Sequence, residues 1–96
     1  MTKQELKNLI QQVKKMRCET ATLELKSAQH GCPKKLYDTL SSFSNQDDGG
    51  IILFGIDEVN DFAAVGVYDA QDLQKQVNAQ CLQMQPVVRP VLTVLA

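Results

Sequence analysis

The stretch GGIILFGIDE, Gly49–Glu58, decides how this chain folds. Its seven residues from Gly50 to Ile56 read as a buried strand. Ile51, Ile52, Leu53 and Phe54 are apolar whichever face they present, the pattern of a strand covered on both sides. Acidic pairs flank it, Asp47-Asp48 before and Asp57-Glu58 after. These are either turn chemistry or part of a site. Beyond a loop near Asp57–Asp61, the run from Phe62 to Val67 reads as the hairpin partner.

Upstream, Gly31-Cys32-Pro33 breaks the chain, and proline suits the first position of a helix. Leu36, Leu40 and Phe43 mark the buried side of that helix, which fades at Ser44-Asn45. Lys34 and Lys35 then fall in its first turn, against the helix dipole, and a bound anion or solvent would ease that conflict. Thr20 to Lys26 switches to period two, placing Leu23 and Leu25 inward with Glu24 and Lys26 on the other face. Before it, Thr2-Lys3-Gln4-Glu5 fits a capping box, and Leu6, Leu9, Ile10, Val13 and Met16 recur at helical spacing over 3–16.

Downstream, Asp69 is placed to cap a helix whose inner stripe is Leu73, Val77, Cys81 and Met84, ended by Pro86. Val87–Leu95 is strand-like, with Pro90 restricting it to an edge or a bulge. The order is α-β-α-β-β-α-β, an α/β (α+β) domain with helices packed on a mixed sheet. Residues 1–96 form one domain. The chain stops inside an apolar strand pattern, so it is expected to be the N-terminal piece of a longer protein. The two glycines at 49 and 50 are expected to be architectural, giving a turn with positive φ or tight helix–strand packing.

Composition excludes several classes. With 44% apolar and 22% charged residues the chain is an ordinary globular protein. It lacks the run of about 20 apolar residues a membrane helix requires, and no secretory leader is visible, so a cytoplasmic location is expected. Cys18, Cys32 and Cys81 are odd in number and form no C-x-x-C pair, which argues for reduced thiols. Cys18, His30 and Cys32 match no common zinc spacing and lack a fourth ligand. No G-K-[ST] follows the glycines, so no nucleotide site is expected. The net charge of −1 conceals asymmetry: residues 1–35 carry +5 and residues 36–96 carry −6. Such a split hints at a polyanion-facing surface, although folding can mix the halves.

Three motifs occur in order: Glu19-x4-Glu24-Leu25-Lys26; Ser42-Phe43-Ser44-Asn45; and Gly49-Gly50-Ile51-Ile52-Leu53-Phe54-Gly55-Ile56-Asp57-Glu58. Together they resemble the Schlafen AlbA_2 family, DNA-binding domains of many bacterial transcriptional regulators, over about residues 18–95. The resemblance implies nucleic acid as partner, DNA favoured over RNA, no cofactor, and a further C-terminal region in the parent protein. Phosphate contacts need cations. Lys26 matches the family lysine; Lys14, Lys15, Arg17, Lys34 and Lys35 are nominated by charge alone. Scarce arginine favours non-specific over base-specific binding. An exposed edge at Val87–Leu95 would instead serve homo-oligomerisation or partner docking.

The resemblance also implies an enzymatic alternative, since animal Schlafen proteins cleave RNA with an acidic trio and, by implication, divalent metal. Here the trio falls on Glu19, Glu24 and Glu58, with Mg²⁺ or Mn²⁺ required only in that case. The binding role is favoured over this one. Glu24 can simply pair with Lys26 on its own face. Glu19 lies an odd number of residues away, so it reaches Glu24 only if the chain turns between them. Asp57 and Glu58 can equally shape the hairpin loop.

Overall fold

The protein is described by a computed structural model at residues 1–20, 22–34, 36–47, 49–86, 88 and 90–94. Its elements are α1 (Lys3–Met16), β1 (Leu23–Lys26), α2 (Tyr37–Ser44), β2 (Ile51–Phe54), β3 (Ile56–Asp57), β4 (Ala63–Ala64) and α3 (Ala70–Leu82). The class is mixed α+β, and the order through α3 is the one read from the sequence, with the central strand divided into β2 and β3.

The first helix forms where local chemistry places it. The Glu5 N–H donates to the Thr2 hydroxyl at 3.1 Å, and the Thr2 N–H donates to the Glu5 carboxylate at 3.1 Å. These bonds hold the Glu5 carboxyl below its usual value. Arg17 ends the helix in the left-handed region (φ 53), its N–H returning to the Val13 carbonyl at 2.7 Å. At the other end of the chain Asp69 caps α3 through the Gln71 and Asp72 amides.

β1 and β2 pair in parallel, Leu23 opposite Ile51 and Leu25 opposite Leu53, with α2 carried on the crossover between them. β3 and β4 pair antiparallel, Ile56 opposite Ala64. Leu53 joins Leu6, Val13, Leu25 and Ile56 in a core beneath α1. Its neighbours Ile52 and Phe54 pack instead against the core of Leu36, Leu40, Leu73, Val77 and Cys81, under α2 and α3. The double-sided apolar pattern thus fills two cores from one strand. Among the described residues β2 has a single strand partner, β1.

Four sequence-derived boundaries move. The second helix begins at Tyr37, not Pro33, so Lys34 precedes it and does not occupy its first turn. The cause lies in α3: Gln80 donates through its side-chain amide to the Pro33 carbonyl at 2.7 Å and accepts the Leu36 N–H at 3.1 Å, tying both residues to α3 ahead of the helix. The seven-residue strand is interrupted at Gly55 (φ 98), which divides β2 from β3. The hairpin partner shrinks to Ala63–Ala64. Finally, Val88 and residues 90–94 carry no strand pairing. Val87, Arg89 and Leu95 lie outside the described residues, as do Lys35 and Asp48.

The glycine pair behaves architecturally. Gly49 turns the chain (φ 68), and Gly50 lies so close under the Phe43 ring that an added Cβ would meet it at 2.3 Å. A cavity of about 1020 Å³ opens between α1, α2, α3, β2, Val88 and residues 90–94, with Leu6, Phe43, Ile51, Leu73 and Leu92 on its wall. None of the candidate acids lines it. Among the described residues no helix is long and apolar enough to cross a membrane.

Candidate nucleic-acid interface and acidic cluster

The acids meet because the chain doubles back immediately after Glu19. Thr20 and Leu23 exchange backbone hydrogen bonds at 3.2 Å, and the Thr22 N–H donates to the Thr20 hydroxyl at 3.3 Å. β1 then runs beside β2, with the carbonyls of Thr22 and Lys26 accepting from Ile51 and Gly55. Leu23 and Leu25, the alternate residues, point their amides to the outer edge. The Glu19 carboxylate turns back onto that edge and accepts the Leu25 N–H at 3.0 Å. The turn that convergence of Glu19 and Glu24 demanded is therefore present, built from threonine hydroxyl chemistry rather than glycine or proline.

Glu24, half-buried on β1, pairs with Lys26 two residues along the same face, Nζ to Oε1 3.3 Å. Glu58 enters from the β3–β4 loop. Its partner in sequence, Asp57, is occupied with the turn: its side chain accepts the Val59 N–H at 3.1 Å, and its carbonyl accepts from Asn60 at 3.2 Å. The acidic pair after the strand thus divides, Asp57 shaping the loop and Glu58 facing the cluster.

Partial desolvation raises the Glu58 carboxyl above its usual value. A hydrogen bond shared with Glu19 and the charges of Glu19 and Glu24 push it the same way, while Lys26 pulls it back. Two carboxyls can share a hydrogen bond only while one keeps its proton, which is why proximity favours the neutral form. Glu58 is solvent-exposed, so water screens much of this effect.

Divalent metal fits this arrangement poorly. Glu19 is engaged by the Leu25 amide and Glu24 by Lys26. Among the described residues no group of three or more His, Cys, Asp or Glu side chains is placed to hold one ion.

The nominated cations scatter. Lys14 and Lys15 occupy the exposed last turn of α1. Arg17 reaches Asp61 in the β3–β4 loop at 2.7 Å, an exposed pair that ties the end of α1 to the hairpin. Asp61 as that partner was not foreseen, because the contact spans 44 residues. Lys26 belongs to the acidic cluster, and Lys34 is exposed ahead of α2. Lys14, Lys15 and Lys34 have no carboxylate partner among the described residues.

Searches of curated proteins and of solved structures return no match. The family model described as Schlafen, AlbA_2 matches residues 19–95, a span holding the Glu19 turn, the glycine strand and the Glu58 loop, and the chain belongs to that family.

Proposed function

We propose that the chain is a nucleic-acid-binding domain, with DNA favoured over RNA, from a bacterial transcriptional regulator. The observation that carries this reading is the family match over residues 19–95. The unpartnered, exposed Lys14, Lys15 and Lys34 supply cations that phosphates require. Arg17 can exchange Asp61 for a phosphate at small cost, because an exposed ion pair is worth about 1 kcal/mol or less. Lys26 is less available, being held by Glu24 within a cluster that repels polyanions.

Fluorescence anisotropy with labelled duplex DNA and duplex RNA tests the reading. Binding to DNA is expected, weakening linearly on a log–log salt plot with a slope of roughly −3 for three phosphate contacts. Failure of both duplexes to bind at low salt overturns it.

A second reading, metal-dependent RNA cleavage by Glu19, Glu24 and Glu58, is favoured by the contact of Glu58 with Glu19 and opposed by the poor fit to metal described above. Manganese-dependent RNA cleavage that disappears in Glu24→Gln would reverse that order of preference.

A further inference from the structure

The loop between β1 and α2 forms a second cavity, open to solvent, of about 420 Å³. Three basic side chains line it, Lys26, His30 and Lys34, drawn from a nine-residue span. Among the described residues no carboxylate lines it. We propose that this loop pocket seats a phosphate group, with Lys34 and His30 as principal donors and Lys26 at its inner rim. The proposal rests on the nucleic-acid-binding reading for the source of that phosphate, a backbone phosphodiester. It adds His30, which charge counting overlooked, as a contact residue.

The loop is held in shape from behind. The Ala28 carbonyl accepts the Tyr68 N–H at 3.0 Å, and the Ala28 side chain is buried in the core under α2 and α3. Cys32 packs against the same core, and the Pro33 carbonyl is held by Gln80. Anchored at 28, 32 and 33, the loop leaves His30 and Lys34 exposed on its outer side. A pocket whose walls are already fixed loses little entropy on taking a ligand. Imidazole and ammonium N–H groups are donors matched to phosphate oxygens.

Competing charges nearby are engaged elsewhere. Glu24 is neutralised in part by Lys26, and Asp72 accepts from the Tyr68 hydroxyl. A phosphate in the pocket would give Lys26 a second anion to bridge. Lys26 then links the seat to the acidic cluster.

Two measurements on the full 96-residue chain test this. In the first, inorganic phosphate is titrated while backbone amide resonances are followed by NMR. Saturable shifts confined to residues 26–34 are expected, and their absence overturns the pocket whatever DNA does. In the second, duplex DNA binding is compared for the native chain, His30→Ala, Lys34→Ala and Lys75→Ala, with helix content checked by circular dichroism. Lys34→Ala should weaken binding several-fold and reduce the salt slope by about 1. His30→Ala should weaken it without unfolding the chain, and Lys75→Ala should leave it unchanged. If the native chain binds DNA and the His30 and Lys34 variants match it in affinity and slope, the pocket is overturned while the binding reading stands. If phosphate shifts residues 26–34 but DNA fails to bind, the nucleic-acid reading falls and a free-phosphate or small phosphoester site is supported instead.

Discussion

The Glu19 carboxylate accepts the Leu25 amide at 3.0 Å across a turn of six residues. A side chain that the family resemblance nominates for the enzymatic alternative thereby also completes the hydrogen bonding of a strand edge. Glu19→Ala leaves a partly buried amide without its acceptor and should cost about 1–2 kcal/mol in urea unfolding. Glu19→Gln retains an acceptor oxygen and should lose much less. Equal losses in both variants would show that charge, not the hydrogen bond, is what matters there.

Glu58 gives the chain a pH signature. Its carboxyl is raised above 4.5 in the folded state, so the folded protein holds this proton over a range where the unfolded chain has released it. Stability is therefore greatest below the unfolded value and declines as pH rises through the folded one. Glu58→Gln removes that decline. The variant should match the native chain near pH 3 and exceed it at pH 7, by less than about 1 kcal/mol because the site is exposed. Chemical denaturation at the two pH values measures the difference; a variant less stable at pH 7 would contradict the assignment.

Gly50 faces the Phe43 ring with no room for a methyl group. Gly50→Ala should destabilise by about 1–3 kcal/mol through overpacking. Pairing it with Phe43→Ala, which removes the obstructing ring atoms, should make the double variant lose less than the sum of the two single losses, giving a non-additive double-mutant cycle.

Gln80 closes both bonds that hold Pro33 and Leu36 ahead of the helix. Gln80→Ala should cost about 1–3 kcal/mol, and amide exchange should accelerate first at Leu36. The same variant should blunt the phosphate-induced shifts in residues 26–34, since the Pro33 anchor is gone.

What the sequence disclosed was local. Thr2 with Glu5, and Asp69 with the two amides after it, act within one helical turn, so both helices could be placed from neighbouring residues alone. The start of α2 could not, because Gln80 imposes it from 44 residues away while Pro33 and the Leu36–Leu40 spacing point to an earlier onset. The break at Gly55 was hidden for another reason: an apolar run reports burial, and φ leaves no trace in it. The acids were found as a motif, but their meeting depended on the Thr20–Leu23 turn, whose only sequence signal was a pair of hydroxyls two residues apart. Asp57 and Glu58 differ by one position in sequence and entirely in use, a distinction that only the loop's hydrogen bonds draw.

β2 has Leu53 in one core and Ile52 and Phe54 in the other. Three residues are thus a party wall between two rooms, and neither room can be remodelled without the other. An error of one residue in how β2 docks on β1 would exchange the furnishings of both at once, sending the Phe54 ring beneath α1 and stranding Leu53 under α3. Such a misfolded chain has no half-correct version, so selection for a working domain acts on this wall as a single unit.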